Sequence, residues 1–156
     1  MKIRHLILPG IAIIINSMLQ FSAFARPLNE SEQEVEAQMQ ALIKAQTEAG
    51  YRLAFPKTLD RLARGSLAPK TVLLYPNSEY SVVAVCEHSC EDVDLSVRDQ
   101  DGTEVASDLA DYAVAVVNFI PPAEGRYRIN VKMNRCSTGN CHFGLGVFVK
   151  SETSSR

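Results

Sequence analysis

The sequence predicts a mainly β chain, an antiparallel β-sandwich of about seven strands behind an N-terminal helical segment. Residues 93–98 and 126–133 alternate apolar and polar side chains with the period of a strand. From Thr71 to Val149 short apolar runs are separated by Pro, Gly, Asn and Asp, the residues that turns require. Residues 31–50 carry helical spacing instead. The 156 residues are 46% apolar, with 8 Gly and 7 Pro, which is the balance of one folded domain and neither a disordered nor a collagen-like chain. A formal charge of −2 leaves no basic excess with which to neutralise a nucleic-acid backbone, so nucleic acid is excluded as a partner.

Residues 1–25 read as a secretory signal peptide. Lys2, Arg4 and His5 precede the apolar stretch from Leu6 to Ile15, and Ala23-Phe24-Ala25 supplies the small-x-small ending. The apolar run is too short and too interrupted, by Pro9, Gly10, Asn16, Ser17 and Gln20, for a membrane span. Cleavage after Ala25 removes Lys2 and Arg4 and no acid, which takes the charge from −2 to −4. The expected location is the periplasm or the outside of the cell, with no membrane span after cleavage.

Residues 26–65 read as a helical N-terminal segment. Ser31-Glu32-Gln33-Glu34 has the form of a capping box, Val35, Met39, Leu42 and Ala49 mark a narrow apolar stripe, and Gly50 is the stop. Tyr51–Phe55 reads as extended, and Pro56 opens a second short helix over Lys57–Arg64 that Gly65 closes. Ser66–Lys70 is a linker. The sandwich domain, residues 66–150, then takes strands at 72–74, 80–86, 93–98, 103–106, 113–120, 126–133 and 142–149, with Asp99–Gly102 as a hairpin turn. Gly144 and Gly146 in the last strand mark a bulge or a close backbone approach. Residues 151–156 are expected to be a disordered tail.

The four cysteines, Cys86, Cys90, Cys136 and Cys141, form two short loops. An even number in an exported chain predicts two disulfides. Of the three connectivities the local pairs Cys86–Cys90 and Cys136–Cys141 are preferred, since each spans a turn-rich loop. His88 and His142 stand beside these cysteines, so a transition-metal site of thiolate and imidazole is the sharper alternative. If strands simply alternate direction, both cysteine loops reach the same end of the sandwich.

The order Tyr80, Cys86-x3-Cys90, Asp92-Val-Asp-Leu95, Asp99-x-Asp-Gly102, Asp108, Asp111, Pro122-x-x-Gly-x-Tyr127, Cys136 and Cys141 resembles the bacterial pre-peptidase C-terminal domain over residues 66–149. The resemblance implies a jelly-roll-like β-sandwich, usually appended to a secreted peptidase and assisting secretion, stability or substrate attachment. No peptidase is expected ahead of it in this chain, so a role that needs a linked catalytic domain is not expected to carry over.

Between Glu87 and Asp111 stand nine acidic residues against one base, Arg98. Oxygen ligands on loops are what calcium takes, and sandwich domains similar to this family bind calcium through such loops. Asp99 and Asp101, with Asp92, Asp108 or Asp111, are the candidate ligands; Asp and Gly are equally what a tight turn demands. Arg126, Arg128 and Lys132 make a basic stripe on the wet face of one strand, which serves either cross-strand pairing with acids such as Asp94 or an acidic glycan. No Gly-x-Ser-x-Gly elbow and no phosphate-cradling glycine loop occur. The leading expectation is thus an exported, non-catalytic binding or accessory module with a protein or glycan partner, no catalytic residues and no obligate cofactor. A calcium-binding module is the first alternative and a small hydrolase the second. His88, His142, Arg126, Arg128 and Lys132 are the candidate binding surface.

Overall fold

The structure, a computed structural model, describes residues 26–151. The expected signal peptide, residues 1–25, and the last five residues of the expected tail lie outside the described residues. One helix, α1 (Glu30–Glu48), precedes nine strands: β1 (Tyr51–Leu53), β2 (Thr58–Ala63), β3 (Leu67–Leu74), β4 (Tyr80–Cys86), β5 (Cys90–Arg98), β6 (Glu104–Asp108), β7 (Val114–Phe119), β8 (Gly125–Cys136) and β9 (Asn140–Lys150). They form two antiparallel sheets, one of order β1-β9-β4-β7 with β2 also paired to β9, the other of order β3-β8-β5-β6.

The core lies between the sheets. Val93, Leu95 and Val97 of β5 and Tyr127, Ile129, Val131 and Met133 of β8 meet Tyr80, Val82 and Ala84 of β4 and Phe143, Leu145 and Val147 of β9. The strand β4 is buried at every position, because α1 covers the face that the core leaves free. Val35 and Met39 of α1 pack there on Val83, Val85 and Phe148. Gly144 permits this close approach: a Cβ on it would fall 2.6 Å from Met39 Cγ. The register of β9 with β4 runs unbroken from Val149 to Phe143, so of the two readings of these glycines the structure takes the close approach and not the bulge.

The helix begins two residues earlier than the spacing of Ser31 and Glu34 predicts. Asn29 is the N-cap, its side chain accepting from Glu32 N at 2.9 Å while Glu32 Oε2 accepts from Asn29 N at 2.9 Å. That pairing leaves the Ser31 and Glu34 side chains free to face the sandwich.

The second predicted helix, Lys57–Arg64, is the strand β2, and most of the predicted linker Ser66–Lys70 belongs to β3. Leu59 and Leu62 decide the first case. Three residues apart, they would share a helix face, but Leu59 packs in the cluster under α1 and Leu62 in the core between the sheets. Only an extended backbone sends them to opposite sides, and the free edge of β9 supplies its hydrogen bonds from Asn140 to Leu145. β3 lies at an edge of its sheet, where Pro69 forfeits no ladder bond that the fold needs.

Candidate functional site

Both cysteine loops lie at one end of the sandwich. The disulfides are Cys86–Cys90 and Cys136–Cys141, each with 5.9 Å between Cα atoms, and no cysteine is free. Cys90 and Cys136 are register partners, and Ser137 donates to Ser89 O through both its backbone N–H (2.9 Å) and its hydroxyl (3.0 Å). Both thiolate pairs are consumed as disulfides, so the thiolate-imidazole metal site is corrected: the sulfurs are not ligands.

The two histidines turn instead toward carboxylates. The N-terminal turns of α1 reach this end, and His88 Nδ1 lies 2.7 Å from Glu34 Oε2. Glu87, 4% exposed, accepts from His142 N at 2.8 Å and lies 3.4 Å from His142 Nδ1. His142 Nε2 is 3.8 Å from Glu32 Oε1. Burial pushes the Glu87 carboxyl up, but the Ser31 hydroxyl and the His142 backbone and ring outweigh it, so the group sits below the ordinary carboxylate range. Glu34, through its hydrogen bond and charge, raises the His88 imidazole above its usual value. A cavity of about 530 Å³ opens beside these groups, lined by Glu32, Val35, Leu59, Arg61, His142 and Phe143 among others. Sequence reading singled out both histidines but missed Glu34 and Glu87. The glutamate beside His88 was visible; its burial and its meeting with the helix were not.

Arg126, Arg128 and Lys132 are exposed on the outer face of β8. Arg128 stands opposite Arg98 of β5 and Thr71 of β3, and these line a depression of about 440 Å³ with Arg126 and the 99–102 turn. Arg98 is bonded to Glu104 (3.1 Å) and to Gly102 O (3.0 Å). Among the described residues Arg126 and Arg128 have no carboxylate partner. Lys132 is opposite Asp94 in register, but Asp94 Oδ2 is taken by the Asn134 amide. The Arg126, Arg128 and Lys132 heads therefore point to solvent without the cross-strand acids that a neutral reading of the stripe requires.

The five candidate calcium ligands do not gather at one point. Asp99 Oδ1 closes its turn by accepting from Asp101 N (2.9 Å) and Thr103 N (2.8 Å). Asp108 accepts from Ala110 N (3.2 Å) and, through Oδ2, from Val116 N (2.8 Å). Asp111 lies 3.6 Å from Arg135 Nη1. Asp92, by contrast, is 3% exposed, and its Oδ1, like that of Asp94, has no hydrogen-bond partner.

No family model matches the chain, and no curated protein matches it. Among solved structures it is similar to PliG of Aeromonas hydrophila, a periplasmic inhibitor of g-type lysozyme, at 11% identity over 61% of this chain and 85% of that one, with a TM-score of 0.47. It is also similar to the pre-peptidase C-terminal domain of a collagenase from Bacillus anthracis, at 14% identity over 59% and 87%, with a TM-score of 0.48. The second is a domain of the type that the sequence resembles. The likeness is one of sandwich architecture, and no ligand or partner transfers with it.

Proposed function

We propose that the chain is an exported, non-catalytic binding module that holds an anionic polysaccharide along the outer face of β8. Two disulfides support export into an oxidising compartment, and among the described residues no helix is long and apolar enough to cross a membrane. The unpartnered guanidiniums of Arg126 and Arg128 carry the reading. Arg98, opposite Arg128 across the ladder, is already paired with Glu104, so that carboxylate is engaged and the Arg126 and Arg128 charges are left to an outside anion. A planar guanidinium matches the two oxygens of a carboxylate or sulfate. From Arg126 to Lys132 the strand runs about 20 Å at 3.3 Å per residue, a length suited to a repeating polyanion and not to a single small ion. The chain itself is acidic, so attraction is confined to this stripe.

Calorimetric titration of the oxidised protein with sulfated and carboxylated oligosaccharides, with a neutral oligosaccharide as control, tests the reading. The expected result is salt-dependent binding of the charged sugars, lost in the fold-neutral double variant Arg126→Glu with Arg128→Glu. Equal binding by that variant, or no binding of any charged sugar, would sink the proposal and leave a protein partner as the better reading.

Calcium remains as a second reading because Asp92 and Asp94 present buried oxygens without partners. It expects calcium to raise the melting temperature of the wild type and not that of Asp92→Asn. Identical calcium responses in the two proteins would dismiss it.

A further inference from the structure

The geometry points to a divalent-metal site of zinc character formed by Glu34 of the helix with Glu87 and His88 of the loop between β4 and β5. Each contributes one donor atom, and the three atoms lie within 4.8 Å of one another. Two ligands of a tetrahedral zinc ion with bonds of about 2.1 Å stand about 3.4 Å apart. The existing contact of 2.7 Å between His88 Nδ1 and Glu34 Oε2 therefore opens by less than an ångström to admit an ion. The His88 side chain is 72% exposed, so its ring is free to make that adjustment.

Imidazole with two carboxylates is a donor set for zinc and similar first-row ions, where calcium would take oxygen alone. Both flanks of the site are held in place. The Cys86–Cys90 disulfide closes the loop that carries Glu87 and His88. Gln38 Nε2 donates to Cys86 O at 3.3 Å, which holds the helix one turn on from Glu34 against the same loop. Glu87 is oriented by His142, whose backbone N–H donates to its Oε1 at 2.8 Å. That is the arrangement in which an outer group fixes the orientation of a ligand.

The consequence is structural. The ion ties α1 to the disulfide loop across a span of more than fifty residues, and the outward side of the site stays open for water or for a donor from another molecule. It is independent of the anion-binding stripe on β8.

The test is a calorimetric titration of tag-free, oxidised protein with zinc sulfate, joined to thermal melts with and without zinc. After removal of residues 1–25, His88 and His142 are the only histidines, and no free thiol competes. One zinc per chain is expected, with a melting temperature raised by the metal. His88→Ala and Glu34→Gln are each expected to weaken binding by at least about tenfold and to abolish the thermal shift, while their metal-free melts stay cooperative. No saturable binding to the wild type overturns the site. So does zinc binding that survives in either variant, since it would then lie elsewhere.

Discussion

Asp92 places a carboxylate 3% exposed on β5, with one oxygen unbonded and Asp94 two residues away on the same strand. Burial, followed by the charge of Asp94, raises its pKa against the pull of Arg135. The folded state thus binds this proton more tightly than the unfolded chain does. The penalty is present in full above the folded pKa and is relieved as pH falls through it toward 3.8. Asp92→Asn is therefore expected to stabilise the calcium-free protein by about 1 kcal/mol near neutral pH. Urea unfolding in the presence of a chelator checks this: the gain should shrink to nothing at about pH 3, and a destabilised variant at neutral pH would contradict it. Glu79 has the opposite sign. It accepts from the Tyr51 hydroxyl at 2.7 Å and pairs with Lys150 at 3.2 Å, and these bonds hold it below the usual range. Its contribution is present above the ordinary glutamate pKa and disappears as pH falls through the lowered one. Glu79→Gln should melt lower than the wild type at neutral pH, and the two curves should converge in acid.

At the scale of the element, the last strand shows what a sequence conceals. Its apolar run announces a strand, and two glycines announce something close by. What comes close is α1, and the helix approaches through Met39, over a hundred residues away. Gly144→Ala places a methyl group 2.6 Å from Met39 Cγ and 3.0 Å from Val35 Cγ1. Either the helix lifts or the strand bends, at a cost of about 1–3 kcal/mol; chemical denaturation measures it, and an unchanged midpoint would show that Met39 repacks freely. The same blindness explains β2. Leu59 and Leu62 satisfy a helical period as well as a strand's, and only the open edge of β9 settles the matter. The strands β4 to β9 were legible because each is bounded by turn residues and shows one wet face or a continuous apolar run, whereas β3 was legible only in its last residues, 72–74. The local disulfides were legible because short loops favour them. The carboxylate partners of His88 and His142 were not, because each pairing joins residues about fifty or more positions apart, or side chains whose direction only the packed helix and loops define.

Considered whole, the molecule is a sandwich with a third layer over one sheet. The outer face of β4 and β9 presents Val83, Val85 and Phe148, all at most 5% exposed under α1, while the outer face of the other sheet carries Arg126, Arg128, Asn130 and Lys132. The first face needs a cover and the second does not. Uncovering three such side chains costs about 1.5–3 kcal/mol each, a sum comparable with the 5–15 kcal/mol that separates folded from unfolded domains. The ties of Lys57 to Glu36 and of Gln46 Nε2 to Ser81 Oγ at 3.3 Å would be lost as well. The helix is accordingly an integral layer and not an appendage. Deleting residues 26–48 from the chain that starts at Arg26 should abolish the cooperative melt seen by circular dichroism, or lower its midpoint by more than 10 °C, even with both disulfides intact. The disulfides close loops of only a few residues and add about 2 kcal/mol each, which does not replace the missing cover. A deletion variant that melts like the wild type would show instead that the sandwich stands alone, and would free α1 for a partner.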